Sequence, residues 1–341
     1  MSRGALPLLL AALAVPVFGE AAPISKDKLL ELVVLPPKTA YMGQKLVVSW
    51  HGKQSRAHEV RVYYKPPNRW RHEVLDSAGG VIKTTVQNGA REWVQRAGSD
   101  VVLARDIRRI RHGELNDSGL KALLAENFEV RDAGVQEYSG VGAQGVVLQP
   151  KADAGSRRVL WVDPRSGIVM HRRQSSHAGQ RIQEARLTHV EIKQDLDDAL
   201  FKPPAGGNIE IINAPERAAI VSSGALARYG FTGTAWHATL PFGYRLDTVR
   251  AIPLAGETVA HFRYSNGLSL LSVFVSPYAI DASDFSAAGE EEDDADAEFA
   301  AVSWAGSFLS WKNGKYYYLI VGDLSRRRLK DVREALERSN G

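Results

Sequence analysis

Residues 45–95 alternate between short β-favouring runs and turn signals, and this pattern constrains the fold more than any other feature of the sequence. Asn88-Gly89 separates two of the runs, and Asn-Gly is the strongest short-range signal of a β-hairpin. Within one run, Val60, Val62 and Tyr64 fall on the same face of the predicted strand. The runs are Lys45–His51, His58–Lys65, Arg69–Leu75, Val81–Gln87 and Glu92–Gln95. We therefore predict an antiparallel sheet in this part of the chain.

The pattern continues to residue 193 with a single helical interruption. A helix is predicted from Asp117 or Ser118, because either can cap it and leucines follow at helical spacing. Further strands are predicted at Val101–Ala104, Phe128–Val130, Gly145–Gln149, Arg158–Asp163, Ile168–Arg173 and Ile182–Lys193. Short connections between strands indicate an antiparallel meander rather than βαβ units. The predicted class is α+β, with one large antiparallel sheet and a helical insert.

The first 21 residues have the three parts of a secretory signal peptide. Arg3 precedes an apolar run of 14 residues, Ala5–Phe18, and small residues follow at Gly19 and Ala21. The run is short for a membrane-spanning helix, which needs about 20 apolar residues. We therefore predict cleavage of residues 1–21 and an exported, soluble mature protein that does not span the membrane. An uncleaved N-terminal anchor is the alternative.

Charge and turn signals divide the rest of the chain in two. Pro203–Gly207 is the best boundary signal, and a second, smaller α+β unit is predicted from about Ala235 to a final helix at Arg326–Arg338. Residues 24–205 carry 29 Lys+Arg against 21 Asp+Glu, whereas residues 206–341 carry 13 against 17. The basic first half suggests an anionic partner. Gly289–Glu298 holds seven acidic residues in ten, which is typical of a solvated loop.

Several function classes lose support from what the sequence lacks. The chain has no Cys, which excludes thiolate metal sites and a Cys nucleophile. Gly140–Gly145 has dinucleotide-binding spacing, but a strand ended by Pro150 follows it instead of a helix. No hydrolase elbow or spaced metal ligands occur. We therefore predict no catalytic residues, no metal and no cofactor, and the export signal disfavours nucleic acid as a partner.

Two groups of side chains are candidates for binding. Arg105, Arg108, Arg109 and Arg111 form a basic cluster that would bind an anionic partner, or that only keeps a loop soluble. Aromatic residues recur in the first-half strands, where a curved sheet would place them around an apolar ligand. The candidates for this groove are Trp50, Tyr64, Trp70 and Trp93. The alternative is that these rings fill an ordinary core.

Three stretches of sequence carry a family resemblance. The first is the hairpin Val159–Arg172 with Gly179–Glu184 after it, the second is Leu240–Tyr244 with His261–Phe274, and the third is Ile320–Leu324. In this order they resemble elements of the periplasmic sigma-factor regulators called the MucB/RseB family. The resemblance spans most of the chain beyond the signal peptide.

The resemblance implies a half-barrel N-terminal domain similar to the lipoprotein carriers LolA and LolB, together with a small C-terminal domain. The first would take residues 22–205, the second residues 235–341, and residues 206–234 would link them. The implied function is a periplasmic, non-enzymatic regulator of an envelope-stress sigma factor. It would bind the periplasmic domain of an anti-sigma factor and shield it from proteolysis until lipoprotein acyl chains or lipopolysaccharide release it. A periplasmic lipoprotein or lipid carrier of the LolA type is the alternative.

Overall fold

The protein is described by a computed structural model. The described residues are 24–51, 54–106, 117–152, 155–205, 208–211, 219–220, 223–232, 237–254, 257–279 and 307–338. They form two sheets, one of twelve strands and one of seven, in which nearly all neighbouring strands are antiparallel. The predicted signal peptide and the acidic segment Gly289–Glu298 lie outside the described residues.

The large sheet consists of two meanders joined edge to edge. Its strands are β1 (Ala40–His51), β2 (Gln54–Lys65), β3 (Arg69–Leu75), β4 (Val81–Asn88), β5 (Arg91–Arg96), β6 (Val101–Asp106), β7 (Phe128–Tyr138), β8 (Val141–Pro150), β9 (Arg157–Val162), β10 (Val169–Ser175), β11 (Arg181–Lys193) and β12 (Asn208–Ile211). β1 to β6 follow one another, β7 to β11 do the same, and β1 pairs with β11. β12 adds to β6 in the parallel direction.

Helices cover one face of this sheet. Ser25 is the N-cap of α1 (Lys26–Val34), and its hydroxyl accepts a hydrogen bond from the Lys28 amide. α2 (Asp117–Asn127) leads directly into β7. Leucines of both helices pack against Leu148 and Leu160. This face is called the helical face below. The structure confirms α2, whereas α1 is not among the elements that the sequence predicts.

The other face, called the opposite face below, is partly covered by the chain that follows β11. A 3-10 helix at Asp198–Phe201 lies against β3 and β4. Phe201 is completely buried there, and the guanidinium of Arg69 lies 6.0 Å from the centre of its ring. Asn88 donates from its amide to the Phe201 carbonyl at 3.3 Å. Residues 194–205, called the crossing segment below, thus lead from β11 towards β12.

The smaller sheet packs against the final helix. Its strands are β13 (Ala219–Ile220), β14 (Thr239–Leu240), β15 (Tyr244–Leu254), β16 (Glu257–Ser265), β17 (Leu270–Ser276), β18 (Ser307–Asn313) and β19 (Tyr316–Gly322). The helix, α3 (Arg326–Glu337), begins at Ser325 and buries Leu329, Val332 and Leu336 against the sheet. The fully buried rings of Tyr244, Phe262 and Tyr264 fill the same core.

The predicted class is confirmed: the fold is α+β, with a large half-barrel sheet that is antiparallel except for β12, a helical insert and a smaller α+β unit. The Asn88-Gly89 hairpin is also present, because Asn88 opposes Arg91 and Gly89 has φ of +60°. No helix among the described residues has both the length and the apolar character needed to cross a membrane. The domain boundaries stay a prediction.

Candidate functional site

An aromatic row crosses the helical face where β1, β2 and β3 lie side by side. Tyr41 opposes Tyr64, and Tyr64 opposes Trp70. The ring centres of Tyr41 and Tyr64 are 5.6 Å apart, and those of Tyr64 and Trp70 are 4.2 Å apart. Tilted contacts of this kind stabilise beyond the burial of area alone. Trp70, at the end of the row, is half-buried, whereas Tyr41 and Tyr64 are buried.

The central tyrosine of this row is fixed by hydrogen bonds as well as by packing. The Tyr64 hydroxyl lies 2.8 Å from the carbonyl oxygen of Pro37 and 3.0 Å from that of Pro67, and it can donate to either. Burial raises the pKa of Tyr64 to about 12, so the hydroxyl stays neutral. Its role is therefore to position the row rather than to exchange protons.

Beyond Trp70 the helical face becomes polar. Gln87 opposes Trp70, and the next pair along the two strands is His72 with Thr85. All three polar side chains are buried, at 5–8% exposed. The surroundings of Trp70 therefore combine an aromatic side with a hydrogen-bonding side. Such a lining suits an amphipathic ligand better than a purely apolar chain.

The structure does not bring the four predicted groove residues together. Tyr64 and Trp70 share the helical face, whereas Trp93 opposes Val86 and Ala104 on the opposite face. Trp50 also lies on the opposite face, where it opposes Ser55. The physical reason is the two-residue alternation of strands, which separates these positions once the register is set. Ligand binding by Tyr64 and Trp70 stays a prediction.

The predicted basic cluster is mostly outside the described residues. Arg105 belongs to β6, where it opposes Glu92 of β5. Arg108, Arg109 and Arg111 fall in the undescribed stretch 107–116. Binding of an anionic partner by this cluster stays a prediction.

A hydrogen-bonded cluster on the opposite face is absent from the sequence-based expectations. Its members are Tyr138, Trp161, His171 and Glu184, called the His171 cluster below. Trp161 and His171 oppose each other across the β9–β10 hairpin, and their rings stack with centres 4.8 Å apart and planes 13° apart. His171 Nε2 lies 2.8 Å from Glu184 Oε1, and Nδ1 lies 2.9 Å from the Tyr138 hydroxyl. The predicted hairpin at Pro164–Gly167 was the signal that places Trp161 beside His171.

Charge and burial keep this cluster in a defined protonation state. Burial lowers the pKa of His171 and outweighs the hydrogen bond with Glu184. Burial also disfavours the charged form of Glu184, yet the hydrogen bond from His171 and the charge of Arg173 lower its pKa overall. A neutral imidazole therefore lies between the Glu184 carboxylate and the Tyr138 hydroxyl, which donates to Gln136 Oε1 at 2.7 Å.

The two sheets are joined at the C-terminal end of α2. Asn127 donates from Nδ2 to the carbonyl oxygens of Gly243 and Asn266, both at 3.0 Å. Leu268, in the β16–β17 turn, packs among the leucines of α1 and α2. The junction is thus both apolar and hydrogen-bonded, and it fixes how the small unit sits on the large sheet.

A second junction contact centres on Asp323, which follows β19 and is completely buried. Its carboxylate accepts a short hydrogen bond from the Ser156 hydroxyl and lies 3.3 Å from His177 Nδ1. Both partners belong to the large sheet and its turns. A polar pocket of about 190 Å³ adjoins this contact. Its lining residues are Gln149, Pro150, Gly155, Arg157, Ser175, Ser176, His177 and Gly179.

Comparison with known proteins identifies the large sheet. Residues 40–205 match the family model of the MucB/RseB N-terminal domain, from β1 to the end of the crossing segment. Residues 40–205 form a MucB/RseB N-terminal domain. The resemblance found in the sequence is thereby confirmed.

Solved structures extend the likeness to both sheets of this protein. A complex of Pseudomonas aeruginosa MucA and MucB matches with a TM-score of 0.54 at 16% identity, covering 90% of this chain and 94% of that chain. A crystal structure of MucB with MucA(peri) matches with a TM-score of 0.50 at 14% identity and the same coverage. At such identities the likeness shows a shared fold. No curated protein sequence matches the chain.

Proposed function

We propose that this protein is a periplasmic, non-enzymatic regulator of an envelope-stress sigma factor. It binds the periplasmic part of a membrane-bound anti-sigma factor and shields that part from proteolysis. Lipid-like ligands, such as lipoprotein acyl chains or lipopolysaccharide, release the anti-sigma factor. The signal peptide at residues 1–21 delivers the chain to the periplasm.

The observation that carries the proposal is the MucB/RseB N-terminal domain together with a fold shared along the whole MucB chain. Residues 40–205 match the MucB/RseB N-terminal domain, and both solved relatives were captured with MucA. The likeness covers 94% of each of those chains, so it includes both sheets rather than the large one alone. A fold match says nothing by itself about a partner, and the partner is the part that needs testing.

Ligand sensing is supported by the half-buried ring of Trp70. It ends an aromatic row on the helical face and stands beside the polar pair His72 and Thr85. An acyl chain would contact the ring, and the polar side would hydrogen-bond to a headgroup. Ligand and anti-sigma factor would favour different arrangements of the two units, which meet at Asn127 and Asp323.

The test is capture from the protein's own envelope. The chain is expressed with its signal peptide and a C-terminal affinity tag, purified from detergent-solubilised envelope, and its co-purifying proteins and lipids are identified by mass spectrometry. An unrelated exported protein with the same tag is the control. Enrichment of a single-pass protein whose cytoplasmic part binds a sigma factor is the expected result.

The capture is followed by a protection assay on the recovered partner. The partner's periplasmic part is exposed to envelope protease with and without this protein, and slower cleavage in its presence is expected. Recovery of mature lipoproteins or acyl lipids without any such partner would overturn the regulator and favour a carrier of the LolA type.

A further inference from the structure

Three arginine side chains of β10 and β11 lie over aromatic rings on the opposite face of the large sheet. The guanidinium carbon stands 5.8 Å from the ring centre for Arg181 and Trp50, 6.0 Å for Arg173 and Trp161, and 5.3 Å for Arg186 and Tyr138. Such cation–π contacts hold a guanidinium in place without using its N–H groups on another protein atom. These three pairs are called the arginine–aromatic face below.

The register places the three arginines on the neighbouring strands β10 and β11. Arg173 of β10 opposes Glu184 of β11, which in turn opposes Val48 of β1. One step further, His171 opposes Arg186, which in turn opposes Leu46. Because directly opposed residues of antiparallel strands point to the same side, these side chains form one continuous surface.

This surface is accessible. The side chains of Arg173 and Arg181 are 37% and 57% exposed, and Arg186 is also exposed. Leu46, opposite Arg186, is a large apolar residue that is 40% exposed. Arginine, tryptophan and tyrosine around an accessible apolar residue make up the composition that dominates binding energy in protein interfaces.

The charge of the face is positive. Glu184 takes the hydrogen bond from His171 and lies 3.4 Å from Arg173 and 3.7 Å from Arg181. Arg186 has no ion pair with any residue that the structure describes. Glu59, which opposes Leu46, is an exposed acid on this part of the face. Since His171 is neutral, three guanidiniums face two carboxylates.

We infer that the arginine–aromatic face binds an acidic, extended segment of a partner protein. The partner's carboxylates pair with the outward N–H groups of Arg173, Arg181 and Arg186, and an apolar side chain of the segment contacts Leu46. Guanidiniums that already lie on rings lose little freedom on binding, and their planar forks suit carboxylates. A membrane is a poorer fit, because Leu46 offers little apolar surface to insert.

The inference rests on the proposed function only in its choice of partner, the anti-sigma factor, and it adds the surface and the chemistry of the bound segment.

The probe is a labelled twelve-residue peptide of alternating Asp and Leu. It is compared with a peptide of alternating Asn and Leu and with vesicles containing anionic phosphatidylglycerol. Binding of the full mature protein is followed by fluorescence anisotropy. The variant is the double charge reversal Arg173→Glu with Arg186→Glu. The matched control, Arg326→Glu with Arg327→Glu, makes the same charge change at two exposed positions of α3 in the small unit.

We expect the wild type to prefer the acidic peptide, the Arg173/Arg186 variant to bind it at least about tenfold more weakly, and the control variant to lose no more than about twofold. Equal binding of the neutral peptide, an equal loss in the control variant, or binding to vesicles alone would overturn the inference. Circular dichroism of both variants verifies folding. If the charge-reversal variant does not fold, the double variant Arg173→Gln with Arg186→Gln replaces it, and a smaller loss of affinity for the acidic peptide is expected. Capture of the anti-sigma factor equally by wild type and variant would overturn this surface while leaving the proposed function intact.

Discussion

Asn127 Nδ2 lies 3.0 Å from the carbonyl oxygen of Gly243, and the same amide reaches Asn266 on the neighbouring turn. One side chain at the end of α2 thus bridges two loops of the small unit. Gly243 has φ of +73°, and a Cβ on it would stand 1.8 Å from Asn127 Oδ1. The approach of the two residues therefore depends on the absence of a side chain at position 243.

Gly243→Ala is expected to destabilise the junction by about 1–3 kcal/mol, because it adds backbone strain and displaces the Asn127 amide. The free energy of unfolding in urea measures the effect, and limited proteolysis reports whether the two units separate. Gly314→Ala is the matched control: Gly314 also has positive φ, +60°, but nothing lies within 4 Å of its Cβ position. Adding Asn127→Ala to Gly243→Ala should recover part of the loss, since the clashing atoms are then gone. A loss no greater than that of Gly314→Ala would contradict this account of the junction.

Asp323→Ala is expected to weaken the second junction contact. Asp323 is completely buried, and its removal leaves the Ser156 hydroxyl and His177 Nδ1 without their acceptor. Unsatisfied buried groups of this kind cost about 1–3 kcal/mol. Asp331→Ala on α3 removes a carboxylate that is 41% exposed and paired with Arg328, so a change within about 0.5 kcal/mol is expected there. Equal losses in the two variants, measured by urea unfolding, would argue against a structural role for the buried carboxylate.

His261 makes stability depend on pH. Burial, and then the charges of Arg250 and Arg263, lower the pKa of His261 to about 3, while its ring stacks on Phe274 with centres 4.4 Å apart. The unfolded chain therefore takes up a proton near pH 6.5 that the folded chain refuses until about pH 3. Because the folded-state pKa is the lower one, this contribution to stability is complete above pH 6.5 and is lost as the pH falls.

Between pH 6 and pH 5 the wild type should therefore lose about 1 kcal/mol more stability than His261→Leu. Urea unfolding at each pH gives the slopes. Ser272→Ala removes the hydroxyl that lies 3.0 Å from His261 Nε2 but keeps the imidazole, so its slope should match the wild type. Parallel slopes for wild type and His261→Leu would mean that His261 is protonated in the folded protein.

Local sequence signals were enough for most strands of this fold. Arg69–Leu75 is predicted with its observed ends, and the Asn88-Gly89 turn sets the register of β4 and β5. Local signals do not predict the pairing of β1 with β11, because the paired residues are about 140 positions apart and no turn links the two strands. That pairing decides which side chains share a face, since a shift of one residue exchanges the two faces.

In the candidate site, too, the contacts within one hairpin were predictable from the sequence and those between distant strands were not. Tyr64 and Trp70 are neighbours across a tight turn, so alternation and hairpin register place them together. To place Trp50 and Trp93 relative to this row, the alternation of side chains has to be followed across several strands, because no single hairpin connects β1 with β5. Glu184 joins His171 only through the β10–β11 register, which follows from a turn at Ser176–Gln180. Contacts such as Asn127 with Gly243 depend on how two units dock, and no local pattern encodes that.

Trp70 and Trp93 offer a direct test of ligand binding on the helical face. Both are half-buried tryptophans of the large sheet, but Trp70 makes a tilted contact with Tyr64 on the helical face, whereas Trp93 lies on the opposite face. If an acyl chain binds beside the aromatic row, Trp70→Ala should weaken binding of a fluorescent fatty acid by about tenfold, because a large apolar contact is lost. Trp93→Ala should leave the affinity within about twofold, although both substitutions lower stability by removing a partly buried ring. Titration at a temperature where both variants are folded by circular dichroism separates affinity from unfolding. Equal weakening in the two variants would show that loss of a tryptophan, rather than loss of a contact on the helical face, controls binding.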